Sequence, residues 1–434
     1  MSFIGRTNRT IHRILGPILL AAQIVSAQSP KVQSTTQDYP TLGNPTSAVA
    51  TGDGSYIFVS VTNVGAPNFS GSDAAAGSRK DAVSGIEVFR NTEPSSSHAT
   101  LLKSVGFVRT GSTGANGLAL LPGERTLVVG VGDAGVAFLD VKELISGSAK
   151  VLLAGQGNAA GTFDVVATPD GRFVFSSNEY GVVNGQRGNV GITEVHTDAS
   201  GKVTHAQSIG SIAAGDVVPS LTLSRDGTRL YVASELVPAK DTPRIAGAAN
   251  PTLTKPDCVQ RKDAPPAGNG FLTVIDVQRA IHLENNAVLS RVAAGCSPVR
   301  IVEAVDSSAL FASARGDNII LVFNPHLLES DPDHAFLHAI PSGGIAPVGM
   351  RLFARDRLLA VANSNRFTDT RGTVSILDVT SPSGSGLVKS WTAGGFPRNI
   401  SLSGDGRTLY LTNYTSRSLQ TIQVSGEDEV RLRQ

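Results

Sequence analysis

The sequence predicts an all-β fold, a seven-bladed β-propeller, on three observations. A phrase recurs along the chain: proline, a short apolar strand, an Asp-Gly turn, then a second apolar strand. The commonest step between copies is about fifty residues, the length of one four-stranded blade. Glycine is abundant, charged residues make up only 17% of the chain, and long helical patterns are scarce.

The N-terminus carries Arg6, Arg9 and Arg13, an apolar run from Ile14 to Val25, and then Val25-Ser-Ala27. That layout predicts a secretory signal peptide over residues 1–27 and one propeller domain over 28–434. The apolar run is short for a bilayer span, and no later segment is long and apolar enough for one. The expectation is an exported protein of the secretory pathway or extracellular space, without membrane insertion.

Seven turns follow in order: Asp53-Gly54, Pro122-Gly123, Asp170-Gly171, Asp226-Gly227, Asp306-Ser307, Arg355-Asp356 and Asp405-Gly406. The steps after blades 1 and 4 are longer and predict loop insertions. In each copy the first strand alternates apolar and small polar residues, as in Leu221-Thr-Leu-Ser and Ile400-Ser-Leu-Ser. Asp-Gly supplies the positive backbone angles of a tight hairpin. The second strand returns with β-branched and aromatic residues, as in Leu230-Tyr-Val-Ala. A third strand often ends in Asp-Val, as in Val136-Ala-Phe-Leu-Asp-Val141. One blade cannot bury both faces, whereas a closed ring of seven can.

Net charge is +1, with charges interspersed and no basic stripe, so nucleic acid is not an expected partner. Gly130-Val-Gly-Asp-Ala-Gly135 matches a dinucleotide fingerprint, but a strand follows where a helix is required. It predicts a glycine-rich hairpin of blade 2. Arg315-Gly-Asp317, an adhesion-type tripeptide, falls at the equivalent hairpin of blade 5. His334 and His338 lie on an expected outer strand without an evident third ligand, so no metal is expected. No nucleophile elbow, phosphate loop or zinc-protease helix is present, and no cofactor is expected.

Cys258 lies in the long blade 4 insertion and Cys296 just before blade 5, on the same predicted face. In an oxidising compartment the expectation is a disulfide pinning the insertion, worth roughly 3–4 kcal/mol in the chain-entropy model. Two unrelated buried cysteines are the alternative. Asn68, Asn399 and Asn413 are glycan acceptor sequences. Asn68 lies in a polar insertion, Asn413 ends a strand, and Asn399 starts an innermost strand where steric access is poor.

A ligand site is expected at the mouth of the central channel, where each first strand begins. Asn116, Asp164, Ser220, Arg300, Arg351, Arg398 and Asn399 hold those positions. Arg300, Arg351 and Arg398 come from consecutive blades and would favour an anion or a polarised carbonyl oxygen. The alternative is that each is a structural staple. Long loops between second and third strands of blades 1, 3, 4 and 6 bring Glu179, Tyr180, Glu235, Arg366 and Phe367 toward the same mouth. Their mixed polarity suits a partly hydrophobic small-molecule partner.

Leu230-Tyr-Val-Ala, Asp405-Gly-Arg-Thr-Leu-Tyr-Leu-Thr-Asn413 and Pro298-Val-Arg300 resemble the repeats of YVTN-type, lactonase-like seven-bladed propellers, over nearly all of the mature chain. The chain is also similar to exported fungal propellers of secondary metabolism, among them hetero-Diels–Alderases of tropolonic sesquiterpene pathways. That resemblance implies an enzyme without a cofactor, joining a sesquiterpene alkene to a tropolone-derived quinone methide. Arg300, Arg351 or Arg398 would donate to the heterodiene oxygen, and Asp164 or Glu235 would help expel water. Asn116, Glu179, Tyr180, Phe367 and Asn399 would contact the ligand. The wider resemblance implies a lactonase-type hydrolase instead, and a non-catalytic binding platform is the third possibility.

Overall fold

A computed structural model describes residues 32–66, 83–93, 100–111, 114–154, 160–183, 186–236, 269–365, 370–380 and 386–426. These form a seven-bladed β-propeller of seven four-stranded antiparallel sheets. The innermost strands, in blade order, are Asn44–Ala50, Leu118–Leu120, Thr162–Ala167, Ser220–Leu223, Pro298–Glu303, Pro347–Phe353 and Pro397–Leu402. Each packs against the innermost strand of the next blade, and the seventh packs against the first.

Second strands have both faces covered, so they are continuously apolar. Leu358–Asn363 and Thr408–Asn413 are buried along their whole length. Inner strands do not keep the strict alternation expected from the sequence: in Pro397–Leu402 every third residue is buried and the others are half-buried. The apolar faces meet in seven cores, one in each gap between adjacent blades. Phe58, Phe138, Phe175, Phe271, Phe323 and Tyr410 are almost wholly enclosed. Each contributes roughly 1.5–3 kcal/mol relative to exposure.

All seven expected turns fall between first and second strands. Their geometry differs from a two-residue hairpin in which both central residues are left-handed. In Thr51-Gly-Asp-Gly54 only Gly54 has positive φ, at 69°, and its N–H donates to the Thr51 carbonyl at 2.8 Å. Thr51 Oγ1 donates to Asp53 Oδ1 at 2.6 Å. Thr168–Asp170, Ser224–Asp226 and Ser403–Asp405 repeat that hydroxyl-to-carboxylate bond at 2.6 Å. The hydroxyl two residues before the aspartate is therefore part of the repeat.

Three features were not anticipated. The outer strand of blade 7 is Val32–Pro40, paired antiparallel with Ser418–Gly426, so the two ends of the chain close the ring together. In blades 2 and 4 the Asp-Val pair starts a short helix. Asp140 and Asp276 cap Val141–Ile145 and Val277–Ile281 by accepting from the N–H of Glu143 and Arg279. The expected loop of blade 3 is a two-stranded ribbon extending the sheet, formed by Phe173–Val183 and Gln186–Thr197.

A hydroxyl also stitches neighbouring blades. The N–H groups of Ser47, Asp164, Arg300 and Asn399, at one equivalent position near the start of the inner strand, donate to Ser60, Ser177, Ser313 and Thr412 of the second strand at 2.9–3.1 Å. Ser60, Ser313 and Thr412 in turn donate to the carbonyls of Asn116, Val348 and Thr46 of the following blade.

Candidate functional site at the channel mouth

Five inner strands carry an irregularity in register at their start, as between Pro298 and Arg300 or Pro397 and Asn399. Such bulges re-aim side chains at strand ends. Here they bring together residues of non-adjacent blades. Arg300 of blade 5 donates through Nη1 to Asp164 Oδ2 of blade 3 at 2.9 Å, and to the Pro219 carbonyl of blade 4 at 3.4 Å. Arg398 of blade 7 lies 4.9 Å from the Phe163 ring of blade 3, 4.9 Å from Tyr414 and 5.6 Å from Phe396. Arg300 lies 5.7 Å from the same Phe163 ring. Phe163 thus receives two guanidiniums from blades 5 and 7, and the contacts span the axis. Phe396 is held in the left-handed region at φ 49°, unusual for a bulky residue, with its ring edge-on to Tyr414.

A second cluster lies over blades 3 to 5. Tyr180 sits where the blade 3 ribbon breaks register, between Asn178 and Val182. Gly161, left-handed at φ 66°, leaves room for its ring, since a Cβ there would lie 2.7 Å from Tyr180. Tyr180 is exposed, and its hydroxyl is pushed up to about 12 by the negative charge of Glu179, then by burial, by its hydrogen bond to Glu179 and by Glu235. It is a protonated donor across the physiological range. Arg187 lies 5.8 Å from the Tyr180 ring and is held at 2.7 Å by Asp216. Glu235 is held by Arg315 at 2.5 Å, both side chains largely buried.

The other expected site residues fall as follows. Arg351 makes neither the Phe163 nor the Asp164 contact. It lies two residues further down its strand than the Arg300 position, so the three arginines do not converge at one level. Asn116 is an inter-blade link: its Nδ2 donates to the Thr162 carbonyl at 3.0 Å and its N–H to Gly130 at 2.8 Å. Asn399 is half-buried on the inner strand, with Oδ1 buried and unpaired. Asn413 is fully buried, and its Nδ2 donates to Ser418 and Gln420, so the folded chain has no room for a glycan there. Ser220 is buried and Cys296 wholly so. Asn68, Cys258, Arg366 and Phe367 lie outside the described residues, as does the N-terminal segment 1–31.

Arg315-Gly-Asp317 joins two strands of blade 5 as expected, with both charges turned to internal use. Arg315 holds Glu235, and Asp317 accepts from the Cys296 N–H at 2.8 Å. Gly130–Gly135 is the expected hairpin between Thr126–Gly130 and Val136–Asp140. His334 and His338 do not share a strand: His334 ends a 3₁₀ turn and binds Asp331 at 2.9 Å, and only His338 is on the strand Phe336–Pro341. Among the described residues no group of three or more His, Cys, Asp or Glu could hold a metal ion, and no helix is long and apolar enough to cross a membrane.

Phe163, Phe396, Tyr414, Arg187 and Arg315 were missed as site residues. Phe163 had a usable signal, since it immediately precedes Asp164 at a strand start already marked as the mouth. Tyr414 was hidden inside a glycan acceptor sequence, and Arg315 inside an adhesion-type tripeptide. Chemically, the mouth offers apolar rings beside a guanidinium, and the ribbon offers a phenol beside carboxylates.

No protein-family model matches the chain, and no curated protein matches it. Solved structures do. A chain of the Kuenenia stuttgartiensis hydrazine synthase superposes with a TM-score of 0.56 at 15% identity, over 88% of this chain and 96% of that one. A chain of the mitotic checkpoint complex superposes with a TM-score of 0.57 at 12% identity, over 95% of this chain and 98% of that one. At such identities the likeness is one of fold, and what it establishes is the seven-bladed β-propeller.

Proposed function

We propose that the protein is an exported propeller that binds a partly hydrophobic small molecule at the channel mouth and catalyses a cofactor-free hetero-Diels–Alder coupling. The observation that carries the binding site is Arg398, set among Phe163, Phe396 and Tyr414. Such a guanidinium is fixed in place before a ligand arrives, and the rings offer stacking area for a planar conjugated partner.

The reaction has modest demands. An alkene and a C=C–C=O heterodiene form one C–C and one C–O bond, with no net oxidation or reduction. Negative charge builds on the heterodiene oxygen, where the Arg398 guanidinium supplies donors. Asp164 and Glu235 are held in ion pairs, so Glu179, hydrogen-bonded to Tyr180, takes the proton-transfer role in forming the quinone methide. Export through a cleaved segment 1–27, a glycan on Asn68 and a Cys258–Cys296 disulfide over the mouth belong to the same proposal. Among the described residues no cysteine is free, which supports that pairing.

The test is the coupling of a tropolone-derived quinone methide to a sesquiterpene alkene with purified protein. We expect a faster reaction of fixed stereochemistry, slowed about 10²-fold in Arg398→Ala. An unchanged rate and product mixture would reject the cycloaddition. Ligand binding at the mouth with no acceleration would mark the propeller as a binding platform.

A further inference from the structure

The last hairpin of blade 3 joins Gln186–Thr197 to the outermost strand, Val203–Ala213, and sets two histidines face to face. Its turn closes through Asp198 and Gly201, the latter left-handed at φ 79°. In the resulting register His196 lies opposite His205, and Glu194 opposite Gln207. Residues opposite one another, and residues two apart on one strand, share a face of the sheet. Val195 and Ala206, the opposed pair between them, are buried in the core between blades 2 and 3. The four side chains therefore share the other face, where His196, His205 and Gln207 are exposed and Glu194 is half-buried.

The two rings stack with centroids 5.8 Å apart and planes 28° from parallel. Nε2 of each is turned to a side-chain oxygen: Glu194 Oε2 lies 3.8 Å from His196, and Gln207 Oε1 3.4 Å from His205. An N–H kept for those oxygens leaves the second nitrogen of each ring with a lone pair, the form in which imidazole binds a metal. The ladder shifts register just after His196, and such irregularities re-aim neighbouring side chains. The rings now meet face to face. Histidine χ2 is a soft torsion, so exposed rings can turn their edges toward one ion.

We infer that the outer edge of blade 3 binds one divalent transition-metal ion through one nitrogen each of His196 and His205. Paired imidazoles select nitrogen-seeking ions over calcium and magnesium, and hold Cu²⁺ more tightly than Zn²⁺. The two rings are the protein's only ligands. Glu194 and Gln207 accept from the other ring nitrogens and orient the rings, and water completes the coordination. The bound ion clips the outermost strand to its neighbour. The site is built on the outer strands and the mouth on the inner ones, so the inference is independent of the proposed cycloaddition.

The test is titration of the chelator-treated full chain with Cu²⁺ and Zn²⁺ in a non-coordinating buffer at neutral pH. We expect one ion per chain, an electron paramagnetic resonance spectrum of Cu²⁺ with two nitrogen ligands, and an unfolding midpoint that rises with either ion. Glu194→Gln should weaken Cu²⁺ binding about 10-fold. His196→Ala and His205→Ala should each weaken it further and abolish the rise in midpoint. These positions lie outside the cores, so the metal-free midpoints should stay near that of the wild type. His334→Ala, at the histidine beside Asp331, should leave binding unchanged. Wild-type Cu²⁺ affinity in either His196→Ala or His205→Ala overturns the inference, as does a spectrum with fewer than two nitrogen ligands.

Discussion

Glu87 and the turn aspartates show how one functional group, the carboxyl, gains opposite pH dependence from its surroundings. Glu87 is 1% exposed in blade 1, where it accepts from the Leu42 N–H at 2.9 Å and from Ser104 Oγ at 2.6 Å. Burial outweighs both bonds and raises its pKa above 4.5. The folded state therefore holds this proton more tightly than the unfolded one. Its contribution is fully present below pH 4.5 and is lost as pH rises through the folded value. Asp53 and Asp226 run the other way: the hydroxyls of Thr51 and Ser224 are the first cause lowering them below 3.8. Their contribution is present at neutral pH and is lost as acid protonates them. We predict that Glu87→Gln gains stability relative to wild type between pH 4.5 and 7, read from urea midpoints at both values. A gap independent of pH would show that Glu87 does not titrate in that window.

At the level of the element, most of each blade was legible because a turn needs particular residues. Glycine after aspartate marked four hairpins, since the left-handed position there admits glycine without strain. Blade 6 was found from spacing alone, and its turn explains why: Ala354, Arg355 and Asp356 are all left-handed, at φ 52°, 57° and 61°. We predict that Arg355→Gly stabilises the protein by about 0.5–1 kcal/mol, through relief of a strained residue on an exposed turn. Gly406→Ala, at φ 75° in blade 7, should destabilise it by about 1 kcal/mol. Equilibrium denaturation of the two variants checks both signs. The mouth was less legible. Strand starts located it, but which side chains meet there depends on bulges and on contacts across the axis, such as Arg398 with Phe163. No local pattern encodes the distance between blades 3 and 7.

In the whole molecule, closure of the ring depends on a strand that sequence periodicity did not reveal. Val32-Gln-Ser-Thr-Thr-Gln-Asp-Tyr-Pro40 is polar and lacks alternation, yet it pairs residue by residue from Val32 opposite Gly426 to Pro40 opposite Ser418. Its polarity follows from its place as an outermost strand, where one edge meets solvent. Tyr39 anchors it, buried against blade 1, with its hydroxyl donating to the Thr100 carbonyl at 2.9 Å. The gap between blades 7 and 1 also holds Ile57, Val59, Tyr410 and Leu419, so this strand completes a core as well as a sheet. Without it, Ser418–Gly426 would present an open edge, a template for pairing with another chain. We predict that a chain beginning at residue 41 melts at a lower temperature than one beginning at residue 32 and self-associates. Light scattering and thermal unfolding of the two chains measure this. If the shorter chain stays monomeric with an unchanged midpoint, the contacts between inner strands hold the ring closed by themselves. In that case the N-terminal strand only covers the edge of blade 7.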